Sequence, residues 1–534
     1  MRRPKLPGVM LLALVIAGWA ATARLGAATT FDLTSASIAD IRAAFDAGAL
    51  TSERLTQLFL ARIEAYNKQG PRLNAVLRLN PHAVDDARAL DAERRQTGPR
   101  SPLHGIPVLL KDNIDAVGLP TSAGFYALRD SMPAQDAEQT RRLRAAGCVI
   151  LGKTNMSEFA TGPAISTLGG QIHNPWALDR TPSGSSGGNG AGIAAGFAVF
   201  ALGTDTGGSI RGPSAANGIV GLKPTYGLNG RGGIIPLALS LDTVGPMARH
   251  VSDLAAVLTV MAGPDPRDAA AVARERVDYT AALNPNALKG ARFGLLRDYM
   301  KVDPTVDAVI ETAVAVLRNQ GAEIVDINFP RFMLGLYTGA YETIRDTEFR
   351  YQIEDYLRSL SRPDLPKTHA DIIKLSEKIT SETPEGWVPN KARLDGYKRE
   401  AQIGTLQDQP YRSSLTDARK IVRENLEWLL AKDHLDAFIG PTGRPPVLIK
   451  DEATPPAPTL GGAWSRLANL TGWPDLVVPA GFTGNPVLPV TLSFLGPAFS
   501  EAKLLGYGNA FERALAVRRL PPTTPPLAGE HFDY

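Results

Sequence analysis

From Ser52 to Tyr66 the apolar residues Leu55, Leu58, Phe59, Ala61 and Ile63 recur at helical spacing, which predicts a helix with one buried face. A second helix is expected from about Pro81 to Arg95. The pattern then changes to an unbroken apolar run, Ile106-Pro107-Val108-Leu109-Leu110, which reads as a buried strand ending at Lys111-Asp112-Asn113. Ala137 to Ala146 reads as a helix stopped by Gly147, and Val149 to Leu151 as the strand after it. This β-α-β rhythm points to a sheet covered by helices.

Beyond it, Gly184 to Gly245 is rich in glycine, with buried strands expected at Ala198–Leu202 and Ile219–Leu222 and a helix at Val251–Met261. Residues from about 303 to 435 read as mostly helical and more charged, with Tyr411 to Leu430 a long amphipathic example. Strand-like runs return at Leu435–Ile439, Leu476–Val478 and Pro489–Leu495. A last helix is expected over Ser500 to Val517, before an irregular, proline-rich tail from Pro521 to Leu527. No linker divides the chain. The reading is one α/β domain over 29–534 with a mainly helical insertion at about 303–435 covering the site.

The first 28 residues stand apart. Arg2, Arg3 and Lys5 precede a 13-residue apolar run, Val9 to Ala21, and small residues follow at Ala21-Thr22-Ala23 and Gly26-Ala27-Ala28. This has the form of a secretory signal peptide cleaved after Ala23 or Ala28. The run is short of the ~20 residues that span a bilayer, so no stable membrane insertion is expected after cleavage, and an exported, periplasmic or secreted protein is. Cleavage removes four cations and no acid, taking the formal charge from +3 to −1, and a near-neutral protein points away from nucleic acid. Cys148 lies in an apolar run and reads as core filler. No cluster of metal ligands stands out, and neither metal nor organic cofactor is expected.

The candidate chemistry lies in two blocks, Pro182-Ser183-Gly184-Ser185-Ser186-Gly187-Gly188 and Gly203-Thr204-Asp205-Thr206-Gly207-Gly208-Ser209-Ile210-Arg211. Ser209 follows two glycines where a helix could begin. Such a turn exposes a hydroxyl and aims backbone N–H groups at one point, as acyl transfer requires for its oxyanion. Neither block carries the Gly-Lys-Ser/Thr of a phosphate loop, and none of the seven histidines has a Ser-His-Asp context. Lys111 is the other candidate base, because burial at the end of an apolar strand disfavours its ammonium form. A salt bridge from Lys111 to Asp112 or Asp115 is an equally open reading.

Together with His104-Gly105-Ile106-Pro107, Leu151-Gly152-Lys153-Thr154-Asn155-Met156-Ser157, Gly221-Leu222-Lys223-Pro224-Thr225-Tyr226-Gly227, Asp242-Thr243-Val244-Gly245-Pro246-Met247 and Val478-Pro479-Ala480-Gly481-Phe482, these blocks resemble the amidase signature family. The similarity spans nearly all of residues 29–534. It implies a large mixed β-sheet covered by helices on both faces and a Ser–cis-Ser–Lys triad. In that triad Ser209 is the nucleophile, Ser185 the middle serine, reached through a cis Gly184–Ser185 peptide, and Lys111 the base. It also implies an oxyanion hole from the amides of Thr206, Gly207, Gly208 and Ser209, with Ser186 and Thr204 supporting the triad. Asp205 and Arg211 read as an ion pair orienting the loop, and Lys153 and Lys223 as structural. Ser183 departs from the family, which usually has glycine there. Gly232-Gly233-Ile234-Ile235-Pro236 resembles peptide amidases, so the expected substrate is a C-terminal peptide amide or similar small amide. The alternatives are a fatty-acid or aryl-acyl amide hydrolase and the glutaminase subunit of a tRNA-dependent amidotransferase.

Overall fold

The apolar runs that end at Lys111, Thr154 and Asp205 form the parallel heart of the sheet, seen in a computed structural model that describes residues 29–301, 303–382, 384–452 and 464–534. The proposed signal peptide, 1–28, lies outside the described residues. Strands Pro107–Lys111, Val149–Thr154 and Phe200–Asp205 are buried at every position, which is why they read as continuous apolar runs rather than as alternation. Pro107–Lys111 lies between the other two and pairs in parallel with both.

The full sheet has 11 strands. From one edge they run Glu323–Ile327, Arg292–Leu296, Ala437–Pro441, Pro489–Leu495, Asp475–Phe482, Val220–Lys223, Thr243–Ala248, Phe200–Asp205, Pro107–Lys111, Val149–Thr154 and Val76–Leu79. Five of the pairings through the middle, from Ala437–Pro441 to Phe200–Asp205, are antiparallel, so the sheet is mixed. The predicted helices appear at Ser52–Ile63, Ala83–Thr97, Glu138–Ala145, Val251–Met261 and Glu501–Leu515.

Three elements differ from the reading of the sequence. Thr243–Ala248 is a central strand despite Pro246; its pairing with Val220–Lys223 covers only Met247 and Ala248, so the missing N–H of Pro246 leaves no ladder bond unmade on that side. Gly187–Ala194 is a helix despite four glycines. A Cβ on Gly188 would lie 2.3 Å from the carbonyl oxygens of Ala75 and Asn155, and on Gly190 2.7 Å from Pro213 O. Close packing therefore overrides helix propensity here. The region 303–435 is mainly helical but opens with helix Pro304–Asn319 and edge strand Glu323–Ile327, both part of the sheet layer.

The helical cover proper follows from Arg331. Helix Arg331–Ser359 turns Met333, Tyr337, Tyr341, Ile344, Phe349 and Ile353 inward, and helices His369–Glu382, Lys391–Glu400 and Gln409–Lys432, the last with a wide turn at Ser414–Ala418, pack around it. Burying each such aromatic or aliphatic side chain contributes roughly 1.5–3 kcal/mol. The cover forms two apolar clusters separate from the main core.

Candidate active site

The chain places Val149–Thr154 on one side of Pro107–Lys111 and then crosses to lay Phe200–Asp205 on the other. A parallel sheet opens a crevice at the carboxyl ends of strands where the winding reverses in this way. Lys111 is the last residue of the central strand and is wholly buried. Its Nζ donates to Ser185 Oγ at 2.6 Å, to Thr204 Oγ1 at 2.8 Å and to Thr204 O at 3.4 Å. Burial pulls its pKa down to about 7 against the opposing charges of Asp205 and Asp242. No ion pair joins Lys111 to Asp112 or Asp115 among the described residues; Lys153 faces Asp112 instead, at 3.5 Å.

Ser185 enters on the loop before helix Gly187–Ala194, and the Gly184–Ser185 peptide is cis. The Ser157 amide donates to Ser185 O at 3.1 Å. Ser186 joins the two blocks: its amide donates to Ser209 O at 3.2 Å and its hydroxyl to Thr204 O at 3.3 Å. Ser183 stands at φ 62°, in the left-handed region glycine occupies freely, which accounts for the family's usual residue there.

The turn after Asp205 is organised by that carboxylate. Asp205 accepts from the amides of Gly208 (2.8 Å) and Ile210 (3.0 Å), from Arg211 Nε (3.0 Å) and Nη2 (2.9 Å), and from Asn469 Nδ2 (2.9 Å). Arg211 continues to Asp475 at 2.8 Å and Asn469 Oδ1 at 2.6 Å. Asp205 and Arg211 have no exposed side-chain surface, and neither lines the cavity at Ser209, so the pair holds the loop. Burial alone would raise the Asp205 carboxyl, but Arg211 and the donors around it bring it well below the usual range. Of the four amides expected at the oxyanion hole, that of Gly208 donates to Asp205. Thr206 is fixed by its hydroxyl, which donates to Asp242 Oδ1 at 2.5 Å; burial raises that carboxyl to about 6.

Ser185 and half-buried Ser209 open onto one cavity of about 440 Å³. Its walls include Ala160 and Leu237, which the sequence did not single out, and Tyr341 and residues 442–447, from the helical region 330–435 and the loop after Pro441 that the sequence places at the substrate entrance without ranking their residues. Tyr341 reaches the site from the helical cover and packs so tightly on Gly207 that a Cβ there would lie 2.0 Å from its hydroxyl. Nothing in the local sequence marks Ala160 and Leu237, since each is an ordinary residue brought in by a distant element. Cys148 is buried in the core and its thiol is pushed up by burial, away from any nucleophilic role. Among the described residues no group of His, Cys, Asp and Glu could hold a metal ion.

Residues 54–505 match the family model described as Amidase. The peptide amidase of Stenotrophomonas maltophilia is 40% identical in sequence, with a TM-score of 0.83, over 91% of this chain and 98% of that one. A 6-aminohexanoate cyclic dimer hydrolase, solved with its substrate, gives a TM-score of 0.77 at 26% identity, covering 92% of this chain and all of that one. Among curated sequences, a glutamyl-tRNA(Gln) amidotransferase subunit from Chloroflexus aggregans is 39% identical over 477 residues, 88% of this chain and 94% of the relative. A buried lysine bonded to a serine that shares a cavity with the serine of a glycine turn, on a sheet of this topology, agrees with these likenesses, and the chain belongs to the amidase family.

Proposed function

We propose that this protein hydrolyses primary carboxamides, C-terminal peptide amides foremost, through an acyl-enzyme on Ser209. The observation that carries the reading is the 2.6 Å hydrogen bond between Ser185 and a buried lysine of pKa about 7, at the floor of the cavity that Ser209 shares. Neutral Lys111 takes the Ser185 proton while Ser185 takes that of Ser209, whose oxygen attacks the amide carbon. The amides of Thr206, Gly207 and Ser209 receive the developing oxyanion; losing one such donor typically costs ~10²–10³ in rate. The proton returns through Ser185 to the leaving nitrogen as the C–N bond breaks and ammonia departs. Water then adds to the acyl carbon by the same relay and regenerates Ser209. Ser186 and Thr204 hold the relay in register, and Asp205 with Arg211 holds the turn.

The likeness to peptide amidase supports the substrate class. The curated amidotransferase relatives favour a second reading, release of ammonia from glutamine for a partner enzyme. Ammonia release from a C-terminal peptide amide, an aryl amide, a fatty-acid amide and free glutamine, with Ser209→Ala as blank, separates them. The peptide amide is expected to be turned over fastest, and a preference for glutamine overturns the substrate class while leaving the chemistry. Among the described residues no helix is long and apolar enough to cross a membrane. The reading also includes export with loss of residues 1–28, for which N-terminal sequencing of protein recovered outside the cytoplasm is the test; an intact Met1 there overturns it.

A further inference from the structure

We propose that Arg444 makes this a site for amides whose acyl portion carries a carboxylate. The proposal rests on the amide-hydrolase reading and refines its substrate class.

When a primary amide is cleaved the leaving group is ammonia, so everything that distinguishes one substrate from another lies in the acyl portion. That portion must occupy the cavity of about 440 Å³ beside Ser209. Its described walls are glycines, alanines, small hydroxyl residues, prolines, Leu237, Val447 and Tyr341, with one charged side chain among them, Arg444, and no acid. Arg444 is half-buried, and among the described residues its guanidinium makes no hydrogen bond and no ion pair. The acids close by are otherwise engaged. Glu452, bonded to the wall residue Thr181, accepts through Oε1 from Thr181 Oγ1 at 2.5 Å and the Ala164 amide at 3.0 Å, and its buried Oε2 makes no hydrogen bond to Arg444. Asp303, whose carboxyl feels the Arg444 charge, sits on the exposed start of helix Pro304–Asn319 and accepts from Thr305 and Val306.

The loop that carries Arg444 is fixed rather than free. Its two ends are tied by Thr442 N–H to Thr491 O at 3.1 Å and Thr181 N–H to Val447 O at 3.0 Å. Arg180 Nη1 donates to Pro446 O at 2.6 Å, and Pro445 and Pro446 stiffen the turn. A guanidinium on a loop so held presents a planar fork of donors that suits a carboxylate, and a charge-assisted pair in a half-buried setting is stronger than one on the open surface. A substrate ammonium in the same cavity meets that positive charge with no acid on the described walls to offset it.

The test is kcat/KM for peptide amides that differ only in Glu, Leu or Lys at the last or penultimate residue, on the full chain and on Arg444→Gln and Arg444→Lys. The wild type is expected to favour Glu over Leu by about tenfold to a hundredfold at one of the two positions, and Lys to be the poorest. Arg444→Gln collapses the Glu-to-Leu ratio towards one, while Arg444→Lys, which keeps the charge, retains part of it. A wild-type ratio near one while Leu amides are cleaved overturns the inference and leaves the amidase reading standing, as does a ratio that survives in Arg444→Gln. Should Arg444→Gln fail to fold, the wild-type ratio and its loss in high salt decide the matter. Absence of turnover on every amide defeats both readings.

Discussion

Two of the wholly buried lysines of the sheet, Lys111 and Lys223, stand at strand ends, and burial brings each down to about pKa 7. Lys111 ends Pro107–Lys111 and Lys223 ends Val220–Lys223. Lys223 donates to two backbone carbonyls, Pro224 O at 2.9 Å and Trp473 O at 2.8 Å. Lys111 donates to two hydroxyls, those of Ser185 and Thr204. A carbonyl has no proton to surrender, whereas a hydroxyl does, so of these two lysines Lys111 is the one that can start a relay. A depressed pKa makes a lysine able to act as a base; the atom it faces decides whether it has anything to do.

The strongest way to break this comparison is at the shared end of the relay. Ser209→Ala is expected to lower kcat/KM by about 10⁴ or more with the melting temperature nearly unchanged, since a triad acts as a unit. Activity close to wild type in that variant removes the mechanism. Substituting the two lysines sharpens the contrast. Lys111→Met should lose about 10²–10⁴ in rate. Lys223→Met should keep activity within about threefold yet lose roughly 1–3 kcal/mol of stability, because two buried carbonyls lose their donor. Equal loss of activity in both variants, with both folded by circular dichroism, would show that the hydroxyl partner is not what matters.

A pH profile probes the same point without mutation. The base must be neutral, so kcat/KM should fall as pH drops through about 7, the value to which burial brings Lys111. An acid limb below pH 5 would exclude Lys111 as the titrating base. The smallest expected effect is at Ser183. Glycine there relieves a left-handed φ of 62° but gains freedom in the unfolded chain, and these terms are each about 1 kcal/mol. Ser183→Gly should therefore shift stability by less than about 1 kcal/mol, as denaturant melts would show.

Much of this molecule was legible locally. Pro107–Lys111 reads as a strand because continuous burial leaves an apolar run up to its last residue, Pro489–Leu495 because Val490, Leu492 and Phe494 alternate with Thr491 and Ser493, and Val251–Met261 as a helix because its apolar positions follow the helical period. The glycine blocks and Lys111 were visible for the same reason: their chemistry is carried by residue types in sequence. Thr243–Ala248 and Gly187–Ala194 were not, because a proline paired on one side only and glycines at close backbone contacts obey neighbours distant in sequence.

The sequence by itself determined which segments are strands and helices and which residue types can do acyl transfer. Only the tertiary structure decided that Lys111 meets a serine 74 residues away, that Lys223 meets carbonyls instead, and that the Gly208 amide is spent on Asp205. It also decided that Tyr341 and Arg444, from the cover and a far loop, wall the cavity. The reason is physical: periodicity and residue type are properties of a local stretch, whereas a pKa, a hydrogen-bond partner and a cavity wall belong to whatever the fold brings within a few ångströms.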